Sequence, residues 1–517
     1  MMISRIWLSV TVLFSVLICI SLLSLCVLQP FLWFLINRQT RLIPGTKLYS
    51  EWLQPSVPIL TQFYVFNLTN PIEFQFGHKP HVKQLGPYTY REKRLKLNIS
   101  HNNGTITYKE MKWYYFDANL SNGMENDSIT SVNLAFISIA LKVNSMPSFI
   151  KRIIQMIESH FHEYLFITKS INELLWGYND ELLTYLSMHG FNLSSISHIG
   201  LFINRNNTLS DYVTINDGLY NQKMIGQIIQ YHGKTTLTYW NSSTANMING
   251  TDGTLFHSFL TKYDKPYIFA SDICRSLQFF TESINKLHNL PVLKLTPMLD
   301  TFKSPKYYEK NKGFCLNWPN CYDDGVLDMS SCQPGAPVVV SQPHFLNANK
   351  SYQDAVDGIS PTAEMNTIIY VEPNTGSIMK AQKKLQINIL VKNDATFKQL
   401  TNISTTLLPL MFINESIQLN DTIIEQLTNA LIQQPFIIQT ILICIITLSL
   451  ISLCSIISIH FYQNRQHTTY IQFIDNHQSN DVTSQSSLDV VNTRQQQQQE
   501  QEQQQTILND LQENPIV

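Results

Sequence analysis

His160-Phe161-His162-Glu163 gathers side chains that can bind metal or move protons. A metal-hydrolase helix needs two histidines one turn apart around a glutamate. Here the histidines are two residues apart, so they diverge around a helix. The run reads either as the solvated face of an amphipathic helix or as a pH-sensitive contact surface, since imidazole titrates in the endosomal range. There is no Gly-x-Ser-x-Gly nucleophile elbow and no Gly-x4-Gly-Lys-Ser/Thr phosphate loop. Gly250-Thr251-Asp252-Gly253 reads as a tight turn. No catalytic residue, metal or cofactor is expected, and the chain is not expected to be an enzyme. Eight cysteines fall into two groups. Cys19, Cys26, Cys444 and Cys454 lie in apolar runs and read as small apolar residues. Cys274, Cys315, Cys321 and Cys332 cluster mid-chain, an even set that suggests two disulfides. Zinc is the competing reading, and the absence of a Cys-x2-Cys pair weighs against it.

Two long apolar runs frame these residues. Ile6–Leu28 has 23 residues without a charge, about 34 Å of helix and enough to cross a bilayer core. A cleaved signal peptide is the alternative. The run is longer than a usual signal core, however, and it continues through residues 31–36 without a clear small-x-small cleavage site. Phe436–Ile459 adds a second run of 24 residues. Asn-x-Ser/Thr acceptors start at Asn67, Asn98, Asn103, Asn119, Asn126, Asn192, Asn206, Asn241, Asn249, Asn349, Asn402, Asn414 and Asn420. All thirteen lie between the runs, as expected of a lumenal or extracellular segment. The expected layout is a cytosolic N-terminus (1–5), a first span (6–28), an ectodomain (37–435), a second span (436–459) and a cytosolic tail (460–517). Glutamines dominate Gln495–Gln505, and this low-complexity tail is expected to be disordered.

Lys and Arg total 36 against 38 Asp and Glu, a formal charge of −2 that argues against nucleic-acid binding. Within the ectodomain, Asn103-Gly104 between β-prone runs predicts a hairpin. Residues 385–391 alternate like a half-buried strand, and 336–340 and 367–371 are shorter β-prone runs. From Ser148, Ile150, Ile153, Ile154, Ile157, Phe161 and Tyr164 recur at helical spacing, opposite Lys151, Arg152, Gln155, Glu158, His162 and Glu163. Pro147 suits a helix start, and a second helix is expected over 170–176. A small helical unit (148–186) thus interrupts a mainly β domain.

Ordered blocks then carry a family resemblance. They are Gly77-His78-Lys79-Pro80, Gly86-Pro87-Tyr88-Thr89-Tyr90-Arg91-Glu92, Leu174-Leu175-Trp176-Gly177-Tyr178-Asn179-Asp180 and Met247-Ile248-Asn249-Gly250-Thr251-Asp252-Gly253. Asp272-Ile273-Cys274-Arg275-Ser276, Gly313-Phe314-Cys315, Pro334-Gly335-Ala336-Pro337 with Pro343-His344-Phe345, and Pro373-Asn374-Thr375-Gly376 follow. With a span at each end, the chain resembles the class B scavenger receptors, a family that includes the lysosomal integral membrane protein branch. The resemblance implies an α+β fold: a large antiparallel β-barrel-like ectodomain with an apical helical bundle and an internal lipid tunnel, flanked by two transmembrane helices. It also implies the pairs Cys274–Cys332 and Cys315–Cys321. Relatives often have a cysteine where Ala245 stands.

The function implied is binding of lipids, lipoproteins or anionic phospholipid surfaces, with transfer of fatty acid or sterol through the tunnel to the membrane. The alternative is a cargo receptor that holds a lumenal hydrolase on its apical helices and releases it with pH. Lys151, Arg152, Ile153, Ile157, His160, Phe161 and His162 are the candidate ligand contacts. For the two basic residues the competing reading is a solvated helix face, and for the apolar ones it is packing into the core. In the tail, Tyr470 to Phe473 fits a tyrosine-based signal for clathrin adaptors. The terminal Ile516-Val517 is similar to the dileucine-type end of the lysosomal branch, although Gln512 stands where an acidic residue is expected. Residence at the plasma membrane, in the endosome–lysosome system, or in both is expected.

Overall fold

Asn103 and Gly104 both adopt positive φ, the geometry of a tight hairpin turn. They join the strands Val82–Asn102 and Thr105–Phe116, which pair in antiparallel register from Tyr90↔Phe116 to Asn102↔Thr105. This hairpin is part of the main sheet. In a computed structural model, residues 2–144, 146–161, 164–189, 198–333 and 338–510 are described.

The sheet path begins at Ile228–Tyr231 and Val213–Asn216 and passes through the hairpin to Ile59–Leu68. It continues through Thr406–Gln418, Ile378–Val391 and Ile368–Val371 to Leu290–Pro297, Arg275–Leu287 and Tyr267–Ala270. The two ends of this path meet through one short segment. Ile228 donates its backbone N–H to Gly250 at 2.9 Å, Thr251 donates to Tyr267 at 3.2 Å, and Phe269 donates to Thr251 at 2.8 Å. Residues 250–251 thereby bridge the two ends of the path and nearly close the sheet into a barrel, which covers those two edges. A Cβ on Gly250 would lie 1.9 Å from the Tyr267 carbonyl oxygen, and its φ is +85°. Only glycine fits this close approach. The run expected to be a tight turn is thus also the closing seam.

The strand at 385–391 follows its expected alternation, but its polar side is not solvated. Gln386 and Asn388 are fully buried. Gln386 accepts from the His344 backbone N–H and donates to Asn388, which donates to the Val339 carbonyl. The Val338–Ser341 strand pairs beside this stretch, and the Pro343–Phe345 turn packs against its polar side. Of the expected 336–340 run, residues 336 and 337 lie outside the described residues.

Helices Leu134–Asn144, Ser148–Phe161 and Glu181–Met188 share one apolar cluster with Phe66, Ile389 and Leu408 of the sheet. Ile171–Trp176 forms the expected short helix, with Ser170 and Glu173 as a capping box. Leu134–Asn144 was not legible as a helix. It is apolar nearly all round and buried, so it carries little amphipathic signal.

The chain divides into two compact units, Phe31–Gln433 and the terminal segments Met1–Pro30 with Gln434–Val517. Ile6–Gln39 and Asp421–Ile474 are long and apolar enough to cross a membrane. The tail departs from the expected disorder. The helix Gln434–Asp510 runs through it, because glutamine is a good helix former and no proline interrupts the run. Residues 461–473 of it are exposed and pack no core.

Candidate functional site

Pro147 opens the amphipathic helix, and its carbonyl accepts from Ile150 and Lys151. Ile154 is fully buried, and Ile150 and Ile157 pack partly against the same cluster. Burying a side chain such as Ile154 contributes about 2 kcal/mol. The Gln155 amide donates to the Thr396 carbonyl and ties the helix to the 391–406 connection. The expected apolar stripe is therefore split. Ile153 is 42% exposed, and with Phe149 at 64% and Met156 at 74% it forms an outward apolar row at i, i+4 and i+7. Arg152 stands exposed in the same row and Lys151 is half-buried. Phe149 and Met156 were missed because apolar residues surround this stretch of the helix too widely for spacing to select one side. His160 and Phe161 belong to the last turn of this helix, and His162 lies outside the described residues. Tyr164, past the helix end, is exposed.

The barrel interior carries a second feature that sequence reasoning missed. Register places Thr61 opposite Tyr90 and Glu415, Glu92 opposite Tyr114, Arg94 opposite Lys112, and Lys383 opposite Glu415. Directly opposed residues share a face, and this face also holds the buried Phe63, Tyr90 and Leu295. It is the inner wall. Ion pairs run along it without a break. Lys96 meets Glu110 at 3.2 Å, and Lys112 links Glu110 at 3.6 Å to Glu92 at 3.5 Å. Arg94 joins Glu92 at 2.6 Å to Glu415 at 2.5 Å, reaching across the intervening strand. Lys383 joins Glu415 at 3.9 Å to Asp272 at 2.5 Å, and Arg205 caps Asp272 at 2.7 Å.

This belt separates two apolar regions of the interior. Phe63, Tyr88, Tyr90 and Tyr114 lie on one side, and Trp52, Ile106 and Tyr108 on the other. From Glu92 to Lys96 it is about 13 Å deep, at roughly 3.3 Å per strand residue. Burial works against charge here, but the opposite charges prevail. Glu415 is held down to about 2, against burial, by Arg94, Lys383 and Lys112. Lys383 foremost, with Arg205 and Lys112, holds Asp272 well below the usual carboxylate range. Against burial, Lys96 and Lys112 do the same for Glu110.

Disulfides join Cys274 to Cys332 and Cys315 to Cys321. Cys19, Cys26, Cys444 and Cys454 are free thiols. Among the acceptor asparagines, Asn98, Asn103, Asn119, Asn126, Asn206, Asn241, Asn349, Asn402 and Asn420 are exposed, and Asn67 and Asn249 are half-buried. Asn414 is buried and donates to Gln62 inside the sheet, which leaves no room for a glycan. Asn192 lies outside the described residues. Tyr470 and Phe473 are exposed on the tail helix; Ile516 and Val517 lie outside the described residues. Among the described residues, no group of three or more His, Cys, Asp or Glu side chains is placed to hold a metal ion.

Comparison with known proteins adds the family. The sequence pattern of the CD36 family matches residues 10–460. Lysosome membrane protein 2 of Rattus norvegicus is 36% identical over 391 residues, which is 75% of this chain and 80% of the relative. The Homo sapiens protein of that name is 36% identical over 392 residues, 74% and 80% of the two chains. Scavenger receptor class B member 1 of Bos taurus is 29% identical over 405 residues, 78% and 79% of the two chains.

Proposed function

Because this chain belongs to the CD36 family, we propose that it is a lipid- and lipoprotein-binding receptor that engages its ligand through the Ser148–Phe161 helix. Family members are membrane receptors, not enzymes, and this chain is a two-span membrane receptor of that kind. One observation carries the reading: Phe149, Ile153 and Met156 hold an apolar row in solvent although Ile154, on the same helix, is fully buried. Such a row, with Arg152 beside it, suits an amphipathic surface whose polar groups are anionic. Once bound, the acyl chain of a ligand gains about 0.8 kcal/mol for each CH₂ removed from water. That supports passage of fatty acid or sterol through the ectodomain to the membrane.

A second reading, cargo binding on the same helix, is favoured by the 36% identity to lysosome membrane protein 2. Full-length protein in nanodiscs, offered fluorescent fatty acid or sterol on phospholipid particles, separates the two. Uptake of the lipid is expected. Failure to take up either probe, together with capture of a lumenal hydrolase at neutral but not acidic pH, would replace lipid binding with cargo binding.

A further inference from the structure

Away from the belt, one buried arginine has no acid beside it. Arg275 opens the strand Arg275–Leu287, and only 6% of its surface is accessible. Its hydrogen bond among the described residues runs from Nη2 to Asn311 Oδ1 at 2.9 Å. The Asn311 amide nitrogen donates to the Asp300 and Lys303 carbonyls at 2.9 and 2.8 Å, which fixes its oxygen towards the guanidinium. The guanidinium carbon sits 3.7 Å from the centre of the Phe314 ring. Burial pulls the group down to about 9, and Asp300 opposes this without forming an ion pair. The Asp300 carboxylate instead accepts from the Tyr308 hydroxyl at 2.5 Å. A guanidinium has five N–H donors. One neutral hydrogen bond and one ring face leave most of them unspent, and buried donors without acceptors are costly.

Arg275 lines a cavity of about 590 Å³ formed by the excursion that follows the Leu290–Pro297 strand. Phe314, Leu316 and Tyr322 also line it, and the Cys315–Cys321 disulfide ties its wall together. Lys303, Asn317 and Asn320 are exposed at its rim. Asp328 is the only carboxylate among the described lining residues, and it accepts the Ser330 N–H at 2.9 Å. Arg275 and Lys303 thus outweigh it by one positive charge. None of the belt's charges lines this cavity.

We propose that this cavity is a binding site for a small water-soluble oxyanion, a carboxylate or a phosphate, held by Arg275 with Lys303 and the rim amides. Two oxygens of such a group can accept parallel N–H bonds from one guanidinium. The Phe314 face holds the guanidinium in place, so it does not have to be ordered when the ligand arrives. The ligand's charge offsets the local excess, whereas a neutral ligand of the same shape leaves that excess uncompensated. The site is separate from the Ser148–Phe161 helix and stands independently of the lipid-binding reading.

The test uses the full-length protein in a non-ionic detergent. Fluorine NMR follows binding of para-trifluoromethylbenzoate and of the matching neutral benzamide, and phosphorus NMR follows inorganic phosphate. At least one of the two oxyanions should bind about tenfold or more tighter than the benzamide, the effect of one charge-assisted pair. Tighter binding of phosphate than of benzoate assigns the site to phosphates; the reverse assigns it to carboxylates. Arg275→Gln should weaken the preferred oxyanion about tenfold. Because Arg275 is buried, a second variant keeps the fold out of question: Asn320→Asp changes an exposed rim position. Its added negative charge should weaken the same ligand about threefold, as one unit charge does near the aqueous entrance. Weakening in either variant supports the site. If neither oxyanion outbinds the benzamide, Arg275 is a structural cation resting on Phe314 and the site is overturned. An affinity unchanged in Asn320→Asp, and in Arg275→Gln where that variant folds, overturns it equally.

Discussion

On the Ser148–Phe161 helix, Phe149, Ile153 and Met156 stand in solvent, while inside the barrel Glu92 and Lys96 are withdrawn from it. Both regions invert the usual partition of apolar and charged residues, and the inversions are sustained differently. The belt persists because each charge has opposite neighbours, so its energy is collective and depends on register. The helix row persists because Ile150, Ile154 and Ile157 anchor the opposite side, so the exposed row is free of structural duty. Regions that invert the rule with structural support belong to the framework. Those that do so without it are available to a partner.

The largest expected effect comes from breaking the belt. Arg94→Met leaves Glu92 and Glu415 without their bridging cation, and removing one partner of a buried ion pair costs about 3–5 kcal/mol. The urea midpoint of the full-length protein in detergent should fall accordingly. A loss below about 1 kcal/mol would mean that the belt is solvated like a surface.

A smaller effect distinguishes ionic from imidazole burial. His344 is buried, and burial lowers its pKa to about 4 from 6.5. Its Nδ1 accepts from the Ser360 N–H at 3.0 Å and its Nε2 donates to Gln84 at 2.6 Å, which fixes the neutral ring. The unfolded chain therefore binds a proton at a higher pH than the folded one. Stability is full above 6.5 and falls, at about 1.4 kcal/mol per pH unit, as pH drops towards 4. Glu415, with its pKa lowered to about 2, acts in the same direction at lower pH. Its contribution is complete above the ordinary carboxylate range and is lost only as pH falls through that range towards 2. Unfolding measured between pH 5 and 6.5 should thus show a slope that His344→Asn removes, since asparagine tolerates the positive φ at this position. A slope unchanged in that variant would assign the acid sensitivity elsewhere.

Much of the frame was legible in the residues. The Asn103-Gly104 hairpin, the Ile171–Trp176 helix and both apolar spans follow from local pattern, and the disulfide pairing followed from the family resemblance. The belt was hidden because Arg91-Glu92-Lys93-Arg94 places charge on both faces of one strand, so alternation cannot say which face turns inward. Only pairing with Thr61 and Tyr114 decides it. The outward row was hidden for a related reason: six of the nine residues from Phe149 to Ile157 are apolar, and they surround the helix too widely for spacing to select the buried side. Gln386 and Asn388 read as solvated because their partners, His344 and Val339, lie more than forty residues away.

The smallest effect on stability should be the largest on function. Phe149→Ser, Ile153→Ser and Met156→Ser combined change only exposed positions, so the unfolding temperature should stay near that of the unmodified protein. The decisive measurement is the equilibrium affinity of this variant, full-length in nanodiscs, for anionic phospholipid–sterol particles. Binding at least about tenfold weaker than the unmodified protein's is expected from losing an apolar contact row. Equal affinity in a folded variant would contradict the assignment of the helix as the ligand-engaging surface.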